Sequence, residues 1–195
     1  MAWEQISPPE ELALDFNLVK AHLRQIDTSE DEYIRMLVQA ATEVVESKTN
    51  RAFINRPIRY TRQGWPCHRD SLELPVHPVS DITSVKFFDT SGSVSTWDSS
   101  RYFIGKANVG YIAPVNGELW PYLYNYDNEI TVEYIAGYGD THESVPPSVK
   151  AAIMYLVGHF FANREPIVVG TAILANKVPF TLQYILNTLR IPMVI

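Results

Sequence analysis

Apolar residues recur at helical spacing in two regions of the chain, one near its beginning and one after residue 146. Asp15 is a good N-cap residue and predicts a first helix that breaks near Asp27. A second helix is predicted to open at Ser29, which forms a capping-box pattern with Glu32, and to end near Asn50. Its predicted apolar face consists of Ile34, Leu37, Val38, Ala41, Val44 and Val45.

Between residues 54 and 138 the pattern changes to short stretches rich in β-branched and aromatic residues, punctuated by prolines. Such stretches predict strands, with a turn at residues 90–93. The predicted strands are 58–63, 71–74, 82–88, 101–104, 110–112 and 129–135. Short strands at this spacing indicate a small antiparallel sheet or barrel.

The helical pattern then returns. Pro146 and Pro147 suit a helix start, and Pro166 stops that helix. A final helix is predicted over about 179–189, followed by an apolar tail. We therefore predict an α+β fold: a bundle of about four helices with a β-rich insertion between the second and third. The chain is interpreted as a single domain, 1–195. Its helical part is 14–54 and 146–190, its insertion 55–140 and its apolar tail 190–195.

Composition, charge and cysteine count exclude or disfavour several classes of protein. Of 195 residues, 46% are hydrophobic and 19% charged, which is typical of a globular protein with a buried core. A net charge of −6 makes the chain a poor candidate for holding nucleic acid through phosphate contacts. The single cysteine, Cys67, excludes a disulfide within the chain. No signal-peptide pattern or membrane-spanning run is evident, so we expect a protein made and kept in a reducing cytoplasm.

Two groups of residues are candidates for catalytic or metal-binding chemistry. Asp140, His142 and Ser144 could suggest a hydrolase triad, but they share one loop without a nucleophile elbow, so a polar linker is the favoured interpretation. Cys67, the adjacent histidine and His77 could suggest a nucleophile pair or a metal site. Either would need further ligands at suitable spacing, so a loop cysteine and incidental histidines are favoured. We therefore predict no catalytic residues, no metal and no cofactor.

Two apolar features could be buried within the chain itself or exposed for contact with a partner. Trp120, Tyr122, Tyr124 and Tyr126 could form a carbohydrate platform, a contact loop or a loop packed on its own sheet, and the scarcity of basic residues disfavours base stacking. Residues 167–169 and 193–195 either fold back and are buried or dock on neighbouring subunits.

Several segments in a fixed order resemble one known family. They are 19–24 (VKAHLR), 29–32 (SEDE), 40–54 (AATEVVESKTNRAFI), 64–66 (GWP), 74–89 (LPVHPVSDITSVKFFD), 134–140 (YIAGYGD) and 145–165 (VPPSVKAAIMYLVGHFFANRE). Together they resemble the head–tail connector (adaptor) proteins of long-tailed bacteriophages. The similarity covers about residues 14–189. Each segment alone is ordinary helix or strand sequence, and the specificity comes from their order.

The resemblance implies a structural subunit without enzymatic activity or cofactor. Such subunits form a ring, expected to have twelve copies, below the portal protein at the head–tail junction of the virion. The ring extends the channel through which genomic DNA passes without sequence-specific binding, and it offers a docking site to a stopper or tail-completion protein. No membrane is involved, and synthesis takes place in the bacterial host cytoplasm.

Residues can be predicted for two interfaces, the contact with the portal and the contact between subunits. In such adaptors the C-terminal helix or tail engages the portal, which here implies Leu182, Ile185, Leu186, Leu189, Ile191, Met193, Val194 and Ile195. The apolar loop and the aromatic cluster are the predicted subunit–subunit contacts, through Ile167, Val168, Val169, Trp120, Tyr122 and Tyr124. Two alternatives stay open: another neck or tail-completion protein, such as a stopper or tail terminator, and a carbohydrate-binding module that uses the aromatic cluster.

Overall fold

The computed structural model describes residues 2–67, 71–106, 109–125, 129–164 and 180–191. The chain divides into two compact units. A β unit is built from Met1–Pro9, Asn50–Tyr138 and Ile191–Ile195, and a helical unit from Glu10–Thr49 and Gly139–Arg190. The described residues form four α-helices and eight strands, with the strand-rich region between the second and third helices. The predicted α+β fold is confirmed.

The helical unit contains all four α-helices: α1 (Phe16–Leu23), α2 (Asp31–Thr49), α3 (Pro147–Ala162) and α4 (Phe180–Leu189). The Asp15 carboxylate accepts a hydrogen bond from the backbone N of Asn17 at 3.0 Å, which confirms it as the N-cap of α1. α3 begins at the predicted proline, where a missing N–H costs no hydrogen bond. α3 packs against α1, α2 and α4.

The start of α2 differs from the predicted capping box. The Ser29 hydroxyl donates to the Asp27 carboxylate at 2.9 Å. The same carboxylate accepts from the backbone N of Thr28 at 2.6 Å and from the backbone N of Ser29 at 3.2 Å. An Asx turn therefore precedes the helix, which begins at Asp31 rather than Ser29. The predicted apolar face is otherwise correct, except that Val44 is 38% exposed.

The β unit contains two antiparallel sheets. The larger one is formed by β1 (Ala2–Gln5), β2 (Arg56–Gln63), β4 (Val79–Phe88), β5 (Val94–Thr96) and β8 (Glu129–Ala136), in the order β1-β2-β8-β4-β5. The smaller one is formed by β3 (Leu72–Glu73), β6 (Tyr102–Lys106) and β7 (Gly110–Pro114), in the order β3-β7-β6. The six predicted strands correspond to β2, β3, β4, β6, β7 and β8; β1 and β5 were not predicted.

One hydrophobic core joins both sheets. β8 contributes Ile130, Val132, Tyr134 and Ala136, which alternate with less buried residues as a half-buried strand requires. The smaller sheet contributes residues such as Ile112 to the same cluster, so the two sheets share one apolar interior. This core carries the loops that form the candidate surfaces below.

Candidate interaction surfaces

Three tryptophans from separate segments meet in the hydrophobic core of the β unit. The rings of Trp65 and Trp120 are stacked with centroids 4.6 Å apart and an interplanar angle of 15°. The Trp97 ring lies 5.8 Å from Trp65 and 5.2 Å from Trp120. The Trp65 indole N–H donates to the Pro121 carbonyl at 2.9 Å. Aromatic contacts and this hydrogen bond therefore fix the loop that carries Trp120 and Pro121.

A groove opens beside these rings, with a volume of about 480 Å³. We call it the tryptophan groove and define it by Asp89, Trp97, Arg101, Glu118, Trp120 and Tyr122, with Leu119 also on its wall. An Arg101 guanidinium N lies 2.6 Å from a carboxylate oxygen of Glu118. The groove thus combines an aromatic wall with a charged rim.

The Asp89 carboxylate is organised by the tight turn that follows β4. It accepts hydrogen bonds from the Ser91 hydroxyl and backbone N at 2.5 and 2.8 Å, and from the Ser95 hydroxyl at 2.6 Å. Hydrogen bonds from the Ser91 and Ser95 side chains lower the pKa of Asp89 to about 2. Asp89 therefore keeps its negative charge throughout the physiological pH range.

The predicted subunit-contact residues differ in accessibility. Trp120 is buried in the aromatic cluster, whereas Tyr122 and Tyr124 are 80% and 65% exposed. The backbone N of Tyr124 donates to the Phe88 carbonyl at 3.2 Å, which attaches this loop to β4. Ile167, Val168, Val169 and Tyr126 lie outside the described residues.

The apolar side of α4, predicted to face the portal, points largely into the helical unit. Leu182 is buried, and Ile185, Leu186 and Leu189 are half-buried, while α4 packs on α2 and α3. Tyr184 is 69% exposed. Ile191 is buried in the β unit, where its carbonyl accepts from the Asn50 side chain at 2.7 Å. Met193, Val194 and Ile195 lie outside the described residues.

His77 is a structural residue of the β unit. Its side chain is buried, and Nδ1 accepts from the backbone N of Gly110 at 3.0 Å. Its backbone N donates to the Asn50 carbonyl, and its carbonyl accepts from the backbone N of Ala52. Burial, with a smaller contribution from the positive charge of Arg51, lowers the pKa of His77 to about 4. The neutral ring thus joins distant segments, a role that local sequence could not reveal.

The other candidates for chemistry are dispersed. His142 lies in a 3₁₀ turn with Ser144, and its Nδ1 is 3.9 Å from a carboxylate oxygen of Glu11. Cys67 is an exposed free thiol. Within the part of the chain that the structure describes, no three His, Cys, Asp or Glu side chains are grouped so that they could hold a metal ion. Among the described helices, none has the length and hydrophobicity needed to cross a membrane.

Charged side chains on the large sheet are paired across its strands. The Arg59 guanidinium contacts Glu4 at 2.9 Å and Glu133 at 3.0 Å. The Lys86 ammonium lies 3.4 Å from the other Glu133 oxygen. Burial alone would raise the pKa of Glu133, but the hydrogen bond from Arg59 and the nearby Lys86 lower it. These two basic side chains are therefore engaged with carboxylates on β1 and β8.

The chain is an α+β protein, and the candidate sites described above are surfaces for contact with other molecules. The family model described as head completion protein matches residues 14–188 of the 195. The chain therefore belongs to the head completion protein family, which confirms the predicted resemblance to phage head–tail connectors. No curated protein matches the chain.

Three similar solved structures are components of gene transfer agent (GTA) particles. A chain in the virion of the native GTA particle has a TM-score of 0.81 at 19% identity. A chain in the neck of the empty GTA particle, computed with C6 symmetry, has 0.80 at 20%. A chain in the neck of the native particle, computed with C12 symmetry, has 0.76 at 21%. Each match covers 100% of this chain and 98% of the other, so the whole fold is shared.

Proposed function

We propose that this chain is a head–tail connector (adaptor) subunit, which forms a ring below the portal protein at the head–tail junction. The observation that carries the proposal is full-length similarity to a chain in a neck computed with C12 symmetry, within the head completion family. By analogy the ring has twelve subunits and offers its far side to a stopper or tail-completion protein. Its role is structural rather than catalytic.

The charge of the chain suits a channel that DNA traverses. Phosphate binding requires unpaired Lys and Arg, and the net charge is −6. The guanidinium of Arg59 and the ammonium of Lys86 are neutralised by carboxylates. A ring of such subunits repels the DNA backbone, so the genome passes without being held.

The proposed portal contact is the C-terminal region, α4 and the residues that follow it. Leu182 and Ile191 are buried and hold this region on the protein, so their contribution is support. Tyr184, at 69% exposure, is a large accessible side chain of α4. Ile185, Leu186 and Leu189 at the half-buried edge, with Met193, Val194 and Ile195, complete the proposed portal contact.

The proposed contact between subunits includes Ile167, Val168, Val169 and the aromatic loop. Tyr122 and Tyr124 are the accessible residues of this loop, and tyrosine is favoured at protein interfaces. Trp120 supports the loop from within the core. A modest contact of this kind, repeated around a closed ring, gives collective strength.

The test is to mix purified protein with portal assemblies and image the product by negative-stain electron microscopy. We expect an added ring on the narrow end of the portal, sharing its axis. Tyr184→Asp is expected to weaken ring formation on the portal, whereas Tyr155→Asp, which changes an exposed tyrosine on α3, serves as the matched control. Folded protein that leaves the portal bare but binds tail tubes would replace the adaptor by a stopper or tail terminator.

A further inference from the structure

The turn that follows β7 contains the only Asn–Gly pair of the sequence, Asn116 and Gly117. The backbone N of Glu118 donates to the Val115 carbonyl at 2.9 Å, and φ of Gly117 is +91°. These features define a type II turn with Asn116 and Gly117 at its two central positions. Both residues are exposed, so the pair lies at an accessible surface of the β unit.

The side-chain amide of Asn116 has no hydrogen-bond partner among the described residues. A Cβ placed on Gly117 would meet no atom within 4 Å, so the space around the peptide bond after Asn116 is open. Glycine also permits more backbone conformations than any other residue. The single hydrogen bond that closes the turn is at the surface, where opening it costs little. The amide carbon of Asn116 can therefore approach the backbone N of Gly117.

We propose that Asn116 is a site of spontaneous deamidation, and that the isoaspartate formed there loosens the loop that carries Trp120. The backbone N of Gly117 loses its proton to solvent base and forms a bond with the side-chain carbonyl carbon of Asn116. The carbon–nitrogen bond of the amide breaks, and the nitrogen leaves as ammonia after taking up a proton from solvent. Water then opens the cyclic imide at either carbonyl and gives aspartate or isoaspartate. Neither step involves oxidation or reduction.

The two products act differently on the loop. The backbone N of Val115 donates to the Arg101 carbonyl at 3.0 Å, and the Arg101 guanidinium lies 2.6 Å from the Glu118 carboxylate. Aspartate adds a negative charge near this ion pair but leaves the backbone unchanged. Isoaspartate inserts a methylene group into the main chain, so the donor and acceptor that close the turn lose their alignment. The connection from β7 to Trp120 is then held less firmly.

The experiment incubates the isolated full chain for several days in mildly alkaline buffer and follows each asparagine by peptide mass spectrometry. We expect the peptide that contains Asn116 to gain the mass of an amide-to-acid conversion and to become a substrate of protein isoaspartyl methyltransferase. The rate falls in mildly acidic buffer, because the attacking nitrogen must lose its proton. Asn17 and Asn163 are exposed but are followed by Leu18 and Arg164, so they serve as internal controls and stay unchanged.

Two variants separate the chemistry from its consequence. Asn116→Gln keeps a side-chain amide but must close a larger ring, so it is expected to lose the mass gain. Freshly purified Asn116→Asp has the charge of one product without the inserted methylene group. We expect the tryptophan emission of the incubated wild type to shift to longer wavelength, because Trp120 is partly released from its stacking on Trp65. Freshly purified Asn116→Asp is expected to keep the emission of the fresh wild type.

The site and its consequence can each be refuted. If the Asn116 peptide gains mass no faster than the peptides of Asn17 and Asn163, the proposed site is wrong. If the incubated wild type keeps its original emission, isoaspartate does not loosen the loop. The same shift in freshly purified Asn116→Asp would also overturn that step, because charge alone would then explain it. None of these measurements uses a portal or another neck protein, so their outcome is independent of the proposed function.

Discussion

His77 makes the stability of the β unit depend on pH. The folded pKa is about 4 against an ordinary value of 6.5, because the ring is buried and, to a smaller extent, because the positive charge of Arg51 is near. Below pH 6.5 the unfolded chain therefore binds a proton that the folded chain excludes. Stability is lost as the pH falls below 6.5, and the loss is complete below about pH 4.

The two pKa values set the magnitude. Their difference corresponds to about 3 kcal/mol when fully developed, and to about 2 kcal/mol at pH 5. His77→Gln removes the titrating ring while keeping a side chain that can accept a hydrogen bond. We expect this variant to be less stable than the wild type near neutral pH, and the gap to narrow by about 2 kcal/mol between about pH 7.5 and about pH 5.

The assay is urea unfolding followed by tryptophan fluorescence. All four tryptophans, Trp3, Trp65, Trp97 and Trp120, lie in the β unit with His77, so the signal reports that unit. Carboxylates also titrate over this range. Wild type and variant share them, so their contributions cancel in the difference between the two unfolding free energies. His22→Gln, an exposed histidine on α1, controls for removal of a histidine. A gap that stays constant with pH, or an imidazole titration by NMR near pH 6.5, would refute the reasoning.

Three further predictions concern the stability of the folded protein. Tyr134→Phe is expected to cost about 1–3 kcal/mol in urea unfolding followed by fluorescence, because the backbone N of Val76 loses its acceptor at 3.1 Å inside the core; a change below 0.5 kcal/mol would contradict this. Ile153→Ala in α3 is expected to cost about 2–5 kcal/mol by circular dichroism, whereas Tyr155→Ala at an exposed position on the same helix changes little. Gly137→Ala is expected to lower the melting temperature, since φ is +151° and a Cβ would lie 2.5 Å from the Asn55 backbone N; an unchanged melting temperature would show that the backbone relaxes freely.

The helices and six of the strands could be predicted because their signals are local. The apolar spacing of α2 and the prolines before α3 act within a few residues of where they stand. β1 is different: its four residues are all exposed, so no alternation marks them, and pairing with β2 alone makes them a strand. The capping prediction at α2 was wrong because a competing acceptor, Asp27, stands two residues before Ser29.

The candidate contact surfaces could not be predicted in detail, because they depend on contacts between residues that are far apart in the sequence. Trp120 drew attention through its tyrosine neighbours, but its stacking partner is Trp65, which is 55 positions earlier in the chain. His77 gains its role from Gly110 in the same way. For α4 the helix was predicted correctly, but the periodicity of an apolar face cannot tell whether that face meets the same chain or a partner. The structure places Leu182 inside the helical unit.

The division into two units has a consequence for biogenesis. The β unit is assembled from three separate stretches and the helical unit from two, so the polypeptide passes from one unit to the other four times. The last of these passages brings Ile191 to its hydrogen bond with Asn50, 141 positions earlier. Such long-range closure is slow compared with local contacts. A nascent chain on the ribosome therefore cannot complete either unit until nearly all of this sequence has emerged, and neither unit can be expressed as one continuous fragment.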